Sequence, residues 1–109
     1  MFGLPDDPLK LPVDWYAPRG TILLSPEALA SARETIAQLW RREARGPCIA
    51  TFVWTGDRLT LDGFLRHEIR THTVQTFEGI PVIFLIPPEA IAGAKARRVV
   101  GEQGRFVLG

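Results

Sequence analysis

Between residues 74 and 88 the chain reads VQTFEGIPVIFLIPP, and few folds accommodate that run. Apolar and polar residues alternate up to Phe77; from Ile80 to Ile86 the sequence is apolar without a break. The run is too short to span a bilayer, and its Ile, Val and Phe content disfavours a helix. It predicts a strand covered on both faces, with Ile80, Val82, Phe84 and Ile86 on one side and Ile83 and Leu85 on the other. Gly79 supplies the positive φ of a tight reversal, so residues 74–85 are expected to form a hairpin. Pro81 lacks an N–H and belongs near the start of its strand, where the ladder asks for no donor.

Upstream, residues 1–20 hold Pro5, Pro8, Pro12 and Pro18 among Phe2, Leu4, Leu9, Leu11, Val13, Trp15 and Tyr16. The prolines forbid regular structure, yet the segment is too apolar for a solvated tail. It reads as an extended arm laid across its own domain or across a neighbour. Residues 21–24 form a short strand. Ser25, Pro26 and Glu27 then open a helix, as N-cap, proline at the first helical position, and acidic residue near the positive end of the dipole. Leu29, Ala32, Ile36, Leu39 and Trp40 recur at helical spacing as the buried stripe, and Gly46-Pro47 ends the helix. Residues 48–54 are the next strand, and a Thr55-Gly56-Asp57 turn leads to a strand over 58–62. Gly63 is expected to break that strand and residues 64–71 to start another. Pro87-Pro88-Glu89 begins a short helix limited by Gly93. Residues 99–100 and 105–108 close the chain as a hairpin around a turn at 101–104. The expected architecture is α+β: residues 21–109 form one domain with one long amphipathic helix on a mixed, largely antiparallel sheet system.

A chain of 109 residues is one domain with a real core, and 46% apolar with 23% charged residues is an ordinary globular balance. The net charge of +1 gives no global field for nucleic acid or an anionic membrane. The single Cys48 rules out an intrachain disulfide framework and a cysteine-only metal site, and it fits a cytoplasmic setting. An acidic pair stands where a signal peptide carries positive charge, so secretion is not expected.

No catalytic signature stands out. His67 and His72 resemble the zinc motif with histidines four apart on a helix, but they are five apart in β-rich sequence. On a regular strand they would face opposite sides. Cys48, His67 and His72 form the alternative metal or thiol site, for which the plainer reading is a small buried hydrophobe and two polar strand residues. Arg41, Arg42 and Arg45, and farther on Arg97, Arg98 and Arg105, form two basic groups suited to phosphates or an acidic partner, or simply to a solvated surface. Aromatic residues do not interleave with them as a stacking platform requires. Trp15 and Tyr16, with Arg41, Arg42 and Arg45, are the candidate partner-binding residues.

The order of segments resembles the HesB-like, A-type iron–sulfur carrier family over residues 21–109. TILLSPEALASARETI stands where that family opens with a strand and an "LTPEA"-like helix start. IATFVWTG matches its strand into a Gly-rich turn, EGIPVIFLIPPEAIAG its "dGv.vvvdp.sl..l.G" segment, and GEQGRFVLG its closing "G..GsrF.v.n" segment. The resemblance implies a HesB-like, β-sandwich-type fold. The family's cluster ligands do not carry over. The turn here reads TGDRL without cysteine, Cys48 lies upstream of it on a strand, and Gly109 comes before any Cys-Gly-Cys pair. The expectation is a non-catalytic protein without cofactor, acting through self-association or docking to a larger assembly. The alternative is a metal-binding protein or small enzyme built on Cys48, His67 and His72.

Overall fold

A computed structural model describes residues 22–42, 46–69, 73–102 and 105–109. The expected arm, with Trp15 and Tyr16, lies outside the described residues, as do Arg45 and His72. The elements in order are β1 (Leu23–Leu24), α1 (Pro26–Arg42), β2 (Cys48–Trp54), β3 (Leu59–Leu65), a 3-10 turn (Arg66–Glu68), β4 (Gln75–Phe77), β5 (Ile80–Leu85), α2 (Pro88–Ala92), β6 (Arg98–Glu102) and β7 (Arg105–Leu108). The strands join in one sheet of seven, ordered β1-β6-β7-β3-β2-β5-β4 and curled nearly into a barrel. β1 runs parallel to β6 and β2 parallel to β5, while the other pairings are antiparallel.

The β4–β5 hairpin forms as its sequence requires. Phe77 pairs with Ile80 across a two-residue turn in which Glu78 (φ 49°) and Gly79 (φ 82°) are both left-handed. That is a type I′ reversal, whose twist matches the flanking strands. Pro81 sits opposite Thr76, one step before β5 begins to pair with β2 at Ala50–Val82. Its missing N–H therefore leaves the β2 ladder intact. β5 is buried on both faces. Val82, Phe84 and Ile86 point into the main core, while Ile83 and Leu85 join Ile49 and Ile69 in a second cluster on the outward face.

The main core fills the concave side of the sheet with residues from every strand, and α1 closes it with Ala28 and Ala32, with Ile36 packed alongside. An aromatic chain crosses this core. Phe77 meets Phe84 edge-on at 6.0 Å, Phe84 stacks on Phe52 at 5.8 Å, and Phe52 meets Phe106 edge-on at 5.4 Å. Such pairs add about 0.5–1.5 kcal/mol each beyond simple burial.

Ser25 is the N-cap of α1: its Oγ accepts the Ala28 N–H at 3.1 Å. The same Oγ accepts the Gly101 N–H at 3.2 Å, which fastens the start of the helix to β6.

Three expectations are corrected. Gly63 does not end a strand, because β3 runs unbroken through it to Leu65, opposite Cys48. A Cβ at residue 63 would lie 3.2 Å from both Thr35 Cγ2 and Leu39 Cδ2, so the glycine makes room for α1. Gly101 does not begin a turn but lies inside β6, opposite Phe106, and an added Cβ would come within 3.3 Å of the Ala28 backbone nitrogen. Trp40 is not part of the buried stripe. It is 54% exposed, because burial on α1 centres on Ala28, Ala32 and Leu39 and the next residue turns about 100° away.

Candidate functional site

Cys48 opens β2 with its side chain on the concave side, packed with Leu65 of β3 beneath Leu39 and Ile36 of α1. It is 6% exposed, and its Sγ lies 3.5 Å from the Gly46 carbonyl oxygen. A helix therefore roofs the thiol. His67, which the sequence reading placed on a strand, is exposed on the 3-10 turn after β3. Glu68 of that turn folds back so that its Oε1 accepts the Leu65 N–H at 2.9 Å, and the Arg66 N–H reaches the Pro47 carbonyl at 2.8 Å. These contacts tie the end of β3 to the start of β2. Cys48 points under the helix and His67 into solvent, so the two do not share a surface. Among the described residues no three His, Cys, Asp or Glu side chains gather as metal ligands.

The resemblance to iron–sulfur carriers can be tested against the donor set. The turn between β2 and β3 carries Gly56 (φ 107°) and Asp57, and Asp57 pairs with its neighbour Arg58 at 3.3 Å. It offers no thiolate, and the one cysteine of the chain is buried elsewhere. Carboxylates are hard oxygen donors and poor substitutes for the soft sulfur that a cluster demands. These residues do not fit a cluster.

The basic groups fall on two separate surfaces. Arg41 and Arg42 stand exposed in the last turn of α1, with Trp40 beside them. Arg41 is held by Glu34 one helical repeat earlier at 3.4 Å, and Gln38 donates to the same Glu34 Oε1 at 3.1 Å. This line of polar contacts runs along the exposed side of the helix and fixes how Arg41 is presented. Both partners are well exposed, so the pair contributes little to stability. Arg98 and Arg105 point outward from β6 and β7, near Val107 (40% exposed) and Leu23 of β1 (43% exposed).

Arg41 and Arg42 at the helix end were legible as candidate partner-binding residues; the exposed Trp40 beside them is what sequence reasoning missed. Trp40, Arg41 and Arg42 combine the side chains enriched where proteins touch one another. The available signal was the single helical step from Leu39, the last buried position of the stripe, to Trp40. Among the described residues no helix is long and apolar enough to cross a membrane. Comparisons with known protein families, with curated proteins and with solved structures returned no match.

Proposed function

We propose that this protein is a non-catalytic α+β module, HesB-like in fold and without an iron–sulfur cluster, that acts by self-association or by docking to a larger assembly. The observation that carries the reading is Trp40, a large indole more than half exposed in the last turn of α1 and followed by two exposed arginines. An indole in that position offers a wide apolar face at little conformational cost, and neighbouring guanidinium groups can pair with carboxylates at the rim. The HesB-like element of the proposal rests on the sequence resemblance over residues 21–109. The burial of Cys48 under α1 favours contact over thiol chemistry, since a reactive thiolate needs access.

The test compares the natural chain with Trp40→Ala and with Arg42→Ala. Sedimentation velocity over a concentration series reads self-association. Capture from the lysate of the source cell, followed by mass spectrometry, reads docking. The expected result is either a dimer that weakens in Trp40→Ala or one near-stoichiometric partner lost in both variants, with the folded state unchanged by circular dichroism. A chain that stays monomeric and captures nothing that depends on Trp40 would sink the proposal. Stoichiometric metal that disappears in Cys48→Ala would replace it with the thiol-site reading.

A further inference from the structure

The solvent side of α1 carries a pattern that complements itself. Burial on this helix centres on Ala28, Ala32 and Leu39. At about 100° per residue, Ala37 lies directly opposite Ala28 and faces away from the sheet. Two lines of side chains flank it, each made of residues seven apart. Arg33 and Trp40 form one line, Glu34 and Arg41 form the other, and all four are exposed. Glu34 already accepts from Arg41 at 3.4 Å and from Gln38 at 3.1 Å, so the second line holds its two charges in register. The indole of Trp40 belongs to none of the core clusters among the described residues. The middle of this side is therefore small, with Ala30 also exposed on it, and its flanks are charged or aromatic. A helix that only meets solvent has no need of an indole there.

A second copy of α1 fits this side when it runs antiparallel about a two-fold axis level with Ala37. Such an axis brings the same patch of both copies together and keeps each flank on its own side. Trp40 stands three residues after Ala37 and Arg33 four before it. Arg33 of one copy therefore comes level with the second copy's Trp40 to within one residue's rise, about 1.5 Å. The other flank repeats the arithmetic and sets Glu34 opposite the second copy's Arg41. The axis doubles each contact. One flank then holds two guanidinium–indole stacks, and the other a ring of alternating charge, two carboxylates and two guanidiniums. Ala37 meets its own copy at the axis, which lets the helices approach to about 8 Å, the near end of the usual range. A parallel pair is disfavoured, because it gathers Arg41 and Arg42 of both copies at one end. The antiparallel pair separates those cations and gives Arg41 a carboxylate to face.

We infer that the partner of this surface is a second copy of the same chain, joined antiparallel through Arg33, Glu34, Ala37, Trp40 and Arg41 of α1. The inference rests on the proposed function and narrows its two routes to self-association. The experiment uses two charge reversals in the full chain, read by sedimentation velocity and native mass spectrometry. Glu34→Arg makes the second line wholly basic, and Arg41→Glu makes it wholly acidic. Each variant alone is expected to weaken the dimer about tenfold or more, because like charges then face each other twice across the axis. An equimolar mixture of the two should form a heterodimer as strong as the natural dimer, since every contact on that flank again joins opposite charges. The double variant Glu34→Arg with Arg41→Glu should recover the homodimer, which shows that both reversals are compatible with the fold. A natural dimer that neither reversal weakens, or a mixture that stays unpaired, overturns the inference and leaves self-association through another surface standing. A natural chain that stays monomeric overturns it as well. In that case a partner captured through Trp40 would carry the proposed function alone, and capture of none would end both.

Discussion

Ser25 shows how much one oxygen holds together. Its Oγ takes the N–H of Ala28, one of the donors that the first turn of any helix leaves unpaired, and also the N–H of Gly101 in the neighbouring strand. Ser25→Ala removes the cap and strands the buried Gly101 donor, an expected loss of about 2–4 kcal/mol in urea unfolding. Ser25→Gly separates the two parts, because glycine is a tolerable N-cap but cannot accept from Gly101. It should retain part of the loss, and a glycine variant as stable as the natural chain would show that the Gly101 bond contributes nothing. Thr51 is the opposite case. Its hydroxyl is buried without a hydrogen-bond partner among the described residues, on a face where its neighbours are apolar. Thr51→Val is expected to raise stability by about 1 kcal/mol, since it removes a desolvated polar group and keeps the shape. A fall in the denaturation midpoint would mean that the hydroxyl is satisfied in solution.

At the scale of the element, α1 lies close on the sheet because small residues let it. Ala28 and Ala32 face the sheet from the helix, and Ala50, Gly63 and Gly101 lie beneath it. The two glycines differ in what an added methyl would meet. At Gly63 it meets Thr35 Cγ2 and Leu39 Cδ2, side-chain ends that can turn aside. At Gly101 it meets the Ala28 backbone nitrogen and Glu27 Cβ at 3.3 Å, which move only with the helix. Gly101→Ala should therefore cost about 2–3 kcal/mol and Gly63→Ala about 1 kcal/mol or less, the order being the test. These positions also mark where the sequence stops being legible. The helix, its Ser25 cap, β2 and the β4–β5 hairpin could be read because each depends on neighbours within a few residues. Gly63 and Gly101 read as breaks, because local propensity registers the missing side chain and not the helix that requires it. Trp40 read as core, because its spacing from Ile36 fits a buried stripe whose axis is set by the sheet below. The opposed fates of Cys48 and His67 were equally illegible, since they follow from a 3-10 turn fixed by Glu68 folding back on Leu65. The strand order, with parallel pairings that join β1 to β6 and β2 to β5, arises from contacts between segments far apart in the chain.

Across the whole molecule, that strand order divides the sheet into two parts of unequal strength. β3, β2, β5 and β4 form one part, registered along the full seven-residue length of β2 and β3 and carrying buried residues on both faces. β1, β6 and β7 form the other, with an outward side open to solvent. The seam is short. With Leu59 opposite Phe106, Thr60 comes level with Arg105, where β7 begins, so β3 continues beyond its neighbour. What holds the parts together is α1, which packs on both, and Phe106, whose ring meets Phe52 across the seam. The smaller part should then open at lower free energy than the larger, as segments with fewer buried contacts do. Native-state hydrogen exchange is expected to show the amides of Val100 and Val107 exchanging through an opening well below the global one, and those of Phe52 and Ile83 only through global unfolding. Phe106→Ala removes the ring from the seam. Because Phe106 is only partly buried, the loss should fall at about 2–3 kcal/mol, below the usual range for a fully buried phenylalanine. The decisive reading is how that loss is distributed. If the seam governs the split, exchange at Val100 and Val107 accelerates more than exchange at Phe52 and Ile83. If all four accelerate together, α1 couples the parts into one cooperative unit and the seam sets no boundary.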